Sequence, residues 1–272
     1  MRGTIYKIIF AVSLVPSCVA VGPAHAQQKT VSQYGCANDQ AEKPQQKKPQ
    51  QTVSGSMRLD VPDSLTGKIA FYTDMDNATN PLGVVAPDGW QCTIDVTTRY
   101  VLTVSKPSVI SHAHLNPASV NEEAFSTDGG LGEAILFYNM AVPIFPAYFP
   151  GNLLSYDRPI YRSNGETISD SDIEKQAWLG SHNKIIHVNG HTVIIITPGN
   201  VHGFAGQGNP FAKSSLPVYS IVGIDALKKN QPPIAYVIQI TWSSLPGYSV
   251  EPFLKLNEQQ IEAALKNYAG AD

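Results

Sequence analysis

From Met57 onward the chain runs in short apolar-rich stretches broken by turn residues. "MRLDV" (57–61), "KIAFYT" (68–73), "LGVVA" (82–86), "WQCTIDV" (90–96) and "RYVLTVS" (99–105) follow one another, separated by "PDSLTG", "DNATNP" and "PDG". β-Branched and aromatic residues between Gly, Pro, Asn and Asp clusters predict short strands in antiparallel order. In "WQCTIDV" the alternation places Trp90, Cys92, Ile94 and Val96 on one face and Gln91, Thr93 and Asp95 on the other, the pattern of a strand with one buried side. Further on, "KIIHVNGHTVIIIT" (184–197) joins two β-branched runs through Asn189 and Gly190, which predicts a hairpin with a two-residue turn. "PVYSIVGI" (217–224) and "IAYVIQITW" (234–242) add two more strands.

The pattern changes to a helical period only near the C-terminus. "LNEQQIEAALKNYAG" (256–270) has Asn257 as cap and Gln260 three residues later. Ile261, Ala264, Leu265 and Tyr268 form an apolar stripe, and Gly270 is the stop. In the middle, "NPASVNEEAF" (116–125) reads as a helical turn or two, opened by Asn116 and Pro117. "LGEAILFYNMAV" (131–142) fits a helix or a buried strand equally well. The expected fold is therefore mainly β, with antiparallel sheets in a sandwich-like or roll arrangement and a C-terminal amphipathic helix. An α+β fold is the alternative.

The N-terminal part differs in composition. Arg2 and Lys7, the apolar "IIFAVSLV" (8–15) and small residues at Ala24 and Ala26 read as an export signal over residues 1–26, cleaved before Gln27. The apolar run is shorter than the roughly 20 residues a spanning helix needs. The competing reading makes Cys18 the lipidated first residue of an anchored lipoprotein, although Pro16 suits that processing site poorly. Residues 27–56 are rich in Gln, Lys and Pro, with little apolar surface to offset the entropy of ordering, and read as a flexible leader. Residues 57–272 then form a single globular domain.

Two cysteines remain after the signal, Cys36 and Cys92. In an oxidising compartment a disulfide between them is the default expectation, tying the start of the leader to the domain. Acidic residues outnumber basic ones beyond Met57, and no basic stripe with interleaved aromatics is present. This excludes the electrostatic footprint of a nucleic-acid binder.

Candidate chemistry is sparse. His112 and His114 alternate in "SHAH", and a His-x-His pair on an extended segment supplies half of a zinc or copper site. His191 or His202 would complete it, while surface histidines with no ligand are the plainer reading. A two-residue turn pairs His191 with Val188 and sets it on the opposite face from His187. In "PIFPAYFPGNLLSYDRPIY" (143–161) four prolines exclude a continuous helix, leaving an aromatic loop. Its Phe145, Tyr148, Phe149, Tyr156 and Tyr161 offer a stacking platform for a sugar or an envelope polymer, or a packing staple for the loop itself. No Gly-x-Ser-x-Gly elbow occurs, and paired cysteines supply no thiolate. "GQGNPFAKSS" (206–215) lacks the glycine spacing of a phosphate loop, and "DMDNATN" (74–80) lacks the glycine and closing glutamate of a calcium loop.

"GVVAPDGWQC" (83–92) resembles a pattern of uncharacterised bacterial secreted proteins and lipoproteins, in which a Gly-Val run, Ala-Pro, Gly-Trp and Cys occur together. "PGNVHGFAGQG" (198–208) and "SSLPVYSIVGI" (214–224) are similar in kind. The resemblance implies export and a single domain, and brings no activity with it. The stretch itself reads as strand, turn and strand, with Pro87, Asp88 and Gly89 reversing the chain. The expected function is that of a secreted or periplasmic envelope protein, a non-enzymatic binding or structural module needing no cofactor. Its partner would be an envelope polymer or another envelope protein. A metal-assisted or serine hydrolase acting on envelope material is the rival.

Overall fold

The computed structural model describes residues 27–38, 51–74, 82–95, 101–106, 123–130, 183–201, 214–225, 234–243 and 249–269. Eleven strands, a single 3-10 turn (Asp63–Leu65) and a C-terminal helix make up the described fold, which is mainly β with mostly antiparallel pairing. The strands are β1 (Gln27–Asn38), β2 (Gln51–Val61), β3 (Ile69–Asp74), β4 (Val84–Pro87), β5 (Gln91–Asp95), β6 (Val101–Ser105), β7 (Ala124–Gly130), β8 (Lys184–His187), β9 (Thr192–Thr197), β10 (Val218–Asp225) and β11 (Ile234–Thr241). Helix α1 spans Glu251–Ala269. The strand order is β4-β3-β1-β5-β6-β7-β11-β10-β9-β8, with β2 also paired to β1.

Strand β1 joins two sheets. Its residues 27–35 pair antiparallel with β2, residues 32–36 pair parallel with β3, and Ala37 and Asn38 pair parallel with β5. This corrects the flexible leader at both ends, because 27–38 and 51–61 are strands within the sheet. Strands on both sides meet the hydrogen-bonding needs of β1, and Val31 and Cys36 turn into the core. Cys36 and Cys92 are at disulfide distance, with Cα atoms 5.3 Å apart and a sequence separation of 56. The link joins β1 to β5 where one sheet passes into the other.

The turn at Asp88 and Gly89 reverses the chain, but β4 pairs with β3 and β5 pairs with β1 and β6, so the two do not form a hairpin. Gly89 has φ +79°, the left-handed region that favours glycine. Asp88 caps the turn by accepting the Gly89 N–H at 2.9 Å, and it accepts the Tyr34 hydroxyl at 2.8 Å. Trp90 and Ile94 return on the buried face and Cys92 is half-buried.

Helix α1 starts earlier than the spacing predicts. Glu251 and Pro252 occupy its first turn, and Ser249 Oγ accepts the Glu251 N–H at 3.2 Å. Asn257 is therefore an interior helix residue, not the cap. Phe253, Leu256, Ile261, Ala264 and Leu265 face the sheet, and the helix packs on β10, β11 and β4. Gly223 of β10 permits this approach, since a Cβ there would stand 2.2 Å from Ile261 Cγ2. Trp90, Phe125, Trp242 and Phe253 meet at one end of this interface, with ring centroids 5.2–6.3 Å apart.

Strand β7 was not expected: Ala124 and Phe125 open it, whereas the sequence places them at the end of a helical segment. The rest of that segment, up to Glu122, lies outside the described residues, as does 131–142. No described helix is long and apolar enough to cross a membrane.

Candidate functional site

Strands β7, β11, β10 and β9 have two unlike faces. Tyr236, Ile238 and Ile240 of β11, with Phe125 of β7 and Ile221 of β10, belong to the core under helix α1. Alternation turns Val237, Gln239 and Thr241 to the opposite face. There the strand register builds two adjacent rows. One runs Thr103, Ser126, Gln239, Ser220 and Ile195, and the other runs Ser105, Ala124, Thr241, Val218 and Thr197. All these residues are buried except half-buried Thr103, although the helix lies on the other side.

A buried sheet face is ordinarily filled with Val, Ile and Leu. Here six hydroxyl-bearing side chains surround one amide. Gln239, 2% exposed, donates from Nε2 to Ser220 Oγ at 2.9 Å, while among the described residues its Oε1 has no partner. Thr241, 1% exposed, likewise has no partner for Oγ1 among the described residues. Rotating the Gln239 amide would let its oxygen accept from Ser220 and leave its nitrogen unpaired, so either orientation presents one unmet amide end. Thr197 Oγ1 donates to Asn183 Oδ1 at 2.8 Å, closing the far edge of the second row. The two rows carry no ionisable side chain and combine donors with acceptors, while the next row on this face, through Val237, includes the register positions of Asp128 and Asp95.

A charged cluster lies at the end of the sheet on the helix side. The Glu123 carboxylate accepts hydrogen bonds from the Lys106 ammonium and the Ser243 hydroxyl, and also from the Ser243 N–H at 3.3 Å. Lys106 Nζ lies 5.8 Å from the centre of the Trp90 ring. Burial pushes the Glu123 carboxyl upward, but the bonds from Lys106 and Ser243 together outweigh it and hold its pKa below the ordinary carboxylate value. Two tyrosines shift the other way. The Tyr34 hydroxyl is raised by its bond to Asp88, with burial and the Asp88 charge adding to it; burial and then the charge of Glu251 raise Tyr219.

The sequence-derived candidates are only partly visible. His112, His114 and His202 lie outside the described residues, as do Phe145, Tyr148, Phe149, Tyr156 and Tyr161. His191 is described, and it sits in a loop one residue longer than the two-residue turn expected. His187 pairs with Val193, leaving Asn189, Gly190 and His191 at the tip once Val188 bonds Thr192. The longer loop is set by Asn189, whose Oδ1 accepts the His191 and Thr192 N–H groups at 2.8 and 2.9 Å. Its Nδ2 donates to Glu262 Oε1 at 2.8 Å, fastening the loop to α1. His191 therefore does not pair with Val188, and both it and His187 are exposed. Among the described residues no group of three or more His, Cys, Asp or Glu side chains could hold a metal.

Sequence reasoning singled out none of the floor residues. The available signal was a polar residue inside each of two β-branched runs, Gln239 in "IAYVIQITW" and Ser220 in "PVYSIVGI". No family model, curated protein or solved structure matches the chain.

Proposed function

We propose that this protein is an exported, non-enzymatic binding domain of the cell envelope, with the sheet face around Gln239 and Thr241 as its binding floor. The observation that carries the binding role is the pair of unpartnered polar atoms in that floor. Buried polar groups are almost always paired, so such a pair calls for an outside hydrogen-bonding partner. Uncharged side chains suit recognition better than bond cleavage, which draws on a nucleophile, a base or a metal.

Export draws its support from the cysteine pair, because a disulfide persists in oxidising compartments. It is consistent with the signal-like residues 1–26. The test is to express the full chain with its own N-terminus in a bacterial host, fractionate the cells, and weigh the mature protein. A periplasmic or secreted product beginning at Gln27 and lacking free thiols is expected. A mass carrying lipid on Cys18 would convert the reading to an anchored form, and a cytoplasmic, reduced, full-length chain would overturn export. Turnover of cell-wall fragments by the purified protein would favour the hydrolase instead.

A further inference from the structure

We propose that the floor around Gln239 and Thr241 takes an uncharged, hydroxyl-bearing small molecule of the sugar or polyol class. This rests on the binding role proposed above and goes further by naming the chemistry of the ligand. Three properties of the floor select it.

The first is charge. Thr103, Ser105, Ser126, Thr197, Ser220, Gln239 and Thr241 are all neutral. An ion seated on these two rows would lose its hydration without a counter-charge within them, the nearest acidic positions on the face being Asp128 and Asp95 in the row through Val237.

The second is the kind of hydrogen bond required. The free end of Gln239 is an acceptor in one amide orientation and a donor in the other, and Thr241 Oγ1 can serve as either. A hydroxyl group satisfies both cases, whereas an apolar ligand would leave both atoms unpaired and forfeit their desolvation cost.

The third is spacing. Gln239 and Thr241 are alternate residues of β11 on the same face, separated by roughly 7 Å along the strand. Two hydroxyls on one molecule match two such points, and the Ser220 hydroxyl beside Gln239, which accepts from Nε2, still has a proton to donate.

The experiment uses the mature protein with glucose, N-acetylglucosamine and cellobiose as neutral probes, and glucuronate and glucosamine as charged counterparts. Binding is followed by calorimetric titration and by the shift in melting temperature. The expected result is that at least one neutral probe binds at millimolar concentration or better, and the charged counterparts at least tenfold more weakly. Thr241→Val and Gln239→Leu should each weaken that binding at least tenfold. Retained circular dichroism and a cooperative melt establish that a variant has folded, and Thr241→Val, nearly isosteric, keeps the test available if Gln239→Leu does not fold.

Equal binding of neutral and charged probes, or binding unchanged in both variants, overturns the proposal. Preferred binding of a charged probe that Thr241→Val abolishes keeps the binding role and sinks the ligand class. Failure of every probe, together with a high-resolution crystal structure showing only ordered water at Gln239 and Thr241, sinks both.

Discussion

Asn257 pairs with the backbone of Val85 as a peptide unit would: its Oδ1 accepts the Val85 N–H at 2.9 Å and its Nδ2 donates to the Val85 carbonyl at 2.8 Å. Among the described residues strand β4 ends the sheet, so its outward N–H and C=O groups face no described strand. The helix supplies one with a single side chain, which is 0% exposed and also donates to Phe253 O at 2.9 Å. Replacing Asn257 by leucine keeps much of the volume and removes both bonds to β4. Leaving two buried backbone groups unpaired should cost about 2–5 kcal/mol. Urea unfolding at neutral pH measures this. Asn257→Asp, which keeps an acceptor but loses the donor, should also be destabilised. A loss below about 0.5 kcal/mol for Asn257→Leu would show that the bridge contributes little.

The approach of α1 to β10 gives a second prediction. Gly223→Ala places a methyl group 2.2 Å from Ile261 Cγ2 and 3.0 Å from Leu265 Cδ1, closer than packed carbons tolerate. Overpacking of this kind costs about 1–3 kcal/mol. Ile261→Ala alone should also destabilise, by opening a cavity at a fully buried position. Combined with Gly223→Ala it should recover part of the loss, because each change makes room for the other. A thermodynamic cycle over the two single variants and the double variant gives the coupling. Strict additivity would mean that the helix shifts away and the close approach is not required.

The alternation of "KIAFYT", "WQCTIDV" and "IAYVIQITW" made the strands legible, since period-two patterning is local to the sequence. What stayed hidden depends on partners far along the chain. β1 has few apolar residues, and its place is decided by β2, β3 and β5 on its flanks. Asn257 reads as a helix cap because asparagine favours that position, and only β4 lying against α1 reveals its use. Ser249 and Pro252 were the better start signal for the helix. Gln239 and Thr241 occupy positions that alternation would equally assign to a wet face, and burial of that face is a property of the tertiary fold.

The cysteine link should matter through the junction of the sheets. On the chain-entropy model, closing the span between Cys36 and Cys92 stabilises the fold by about 4 kcal/mol. Cys92→Ser should lower the melting temperature and increase hydrogen exchange at the ends of β1 and β5, where Ala37 pairs with Thr93. The hydrogen-bonded middle of β1, between β2 and β3, should keep more of its protection. Cys36→Ser and the double variant should match Cys92→Ser, because each breaks the same bond. An unchanged melting temperature in all three would remove the link from the account of stability.

The Glu123 carboxylate gives the fold an acid-sensitive component with a definite sign. Its pKa is lower when folded, because Lys106 and Ser243 outweigh the effect of burial. A depressed folded pKa contributes stability that is fully present above the ordinary carboxylate value of about 4.3, and this is lost as pH falls through the lower folded value. Glu123→Gln keeps the shape and an acceptor for Ser243 but cannot titrate or form the ion pair with Lys106. The variant should therefore be less stable than wild type at pH 7, and the gap should narrow as pH falls from about 5 to 3. Half-exposed Lys106 makes the pair partly open to screening, so added salt should shrink the gap at pH 7 as well. Tyr34 has the opposite sign: its raised pKa contributes stability below about pH 10 that is lost as the hydroxyl ionises on further alkalinisation. Urea unfolding of wild type, Glu123→Gln and Tyr34→Phe across the pH range separates the two. Parallel stability curves for wild type and Glu123→Gln between pH 3 and 7 would show that Glu123 carries no pH-linked stability.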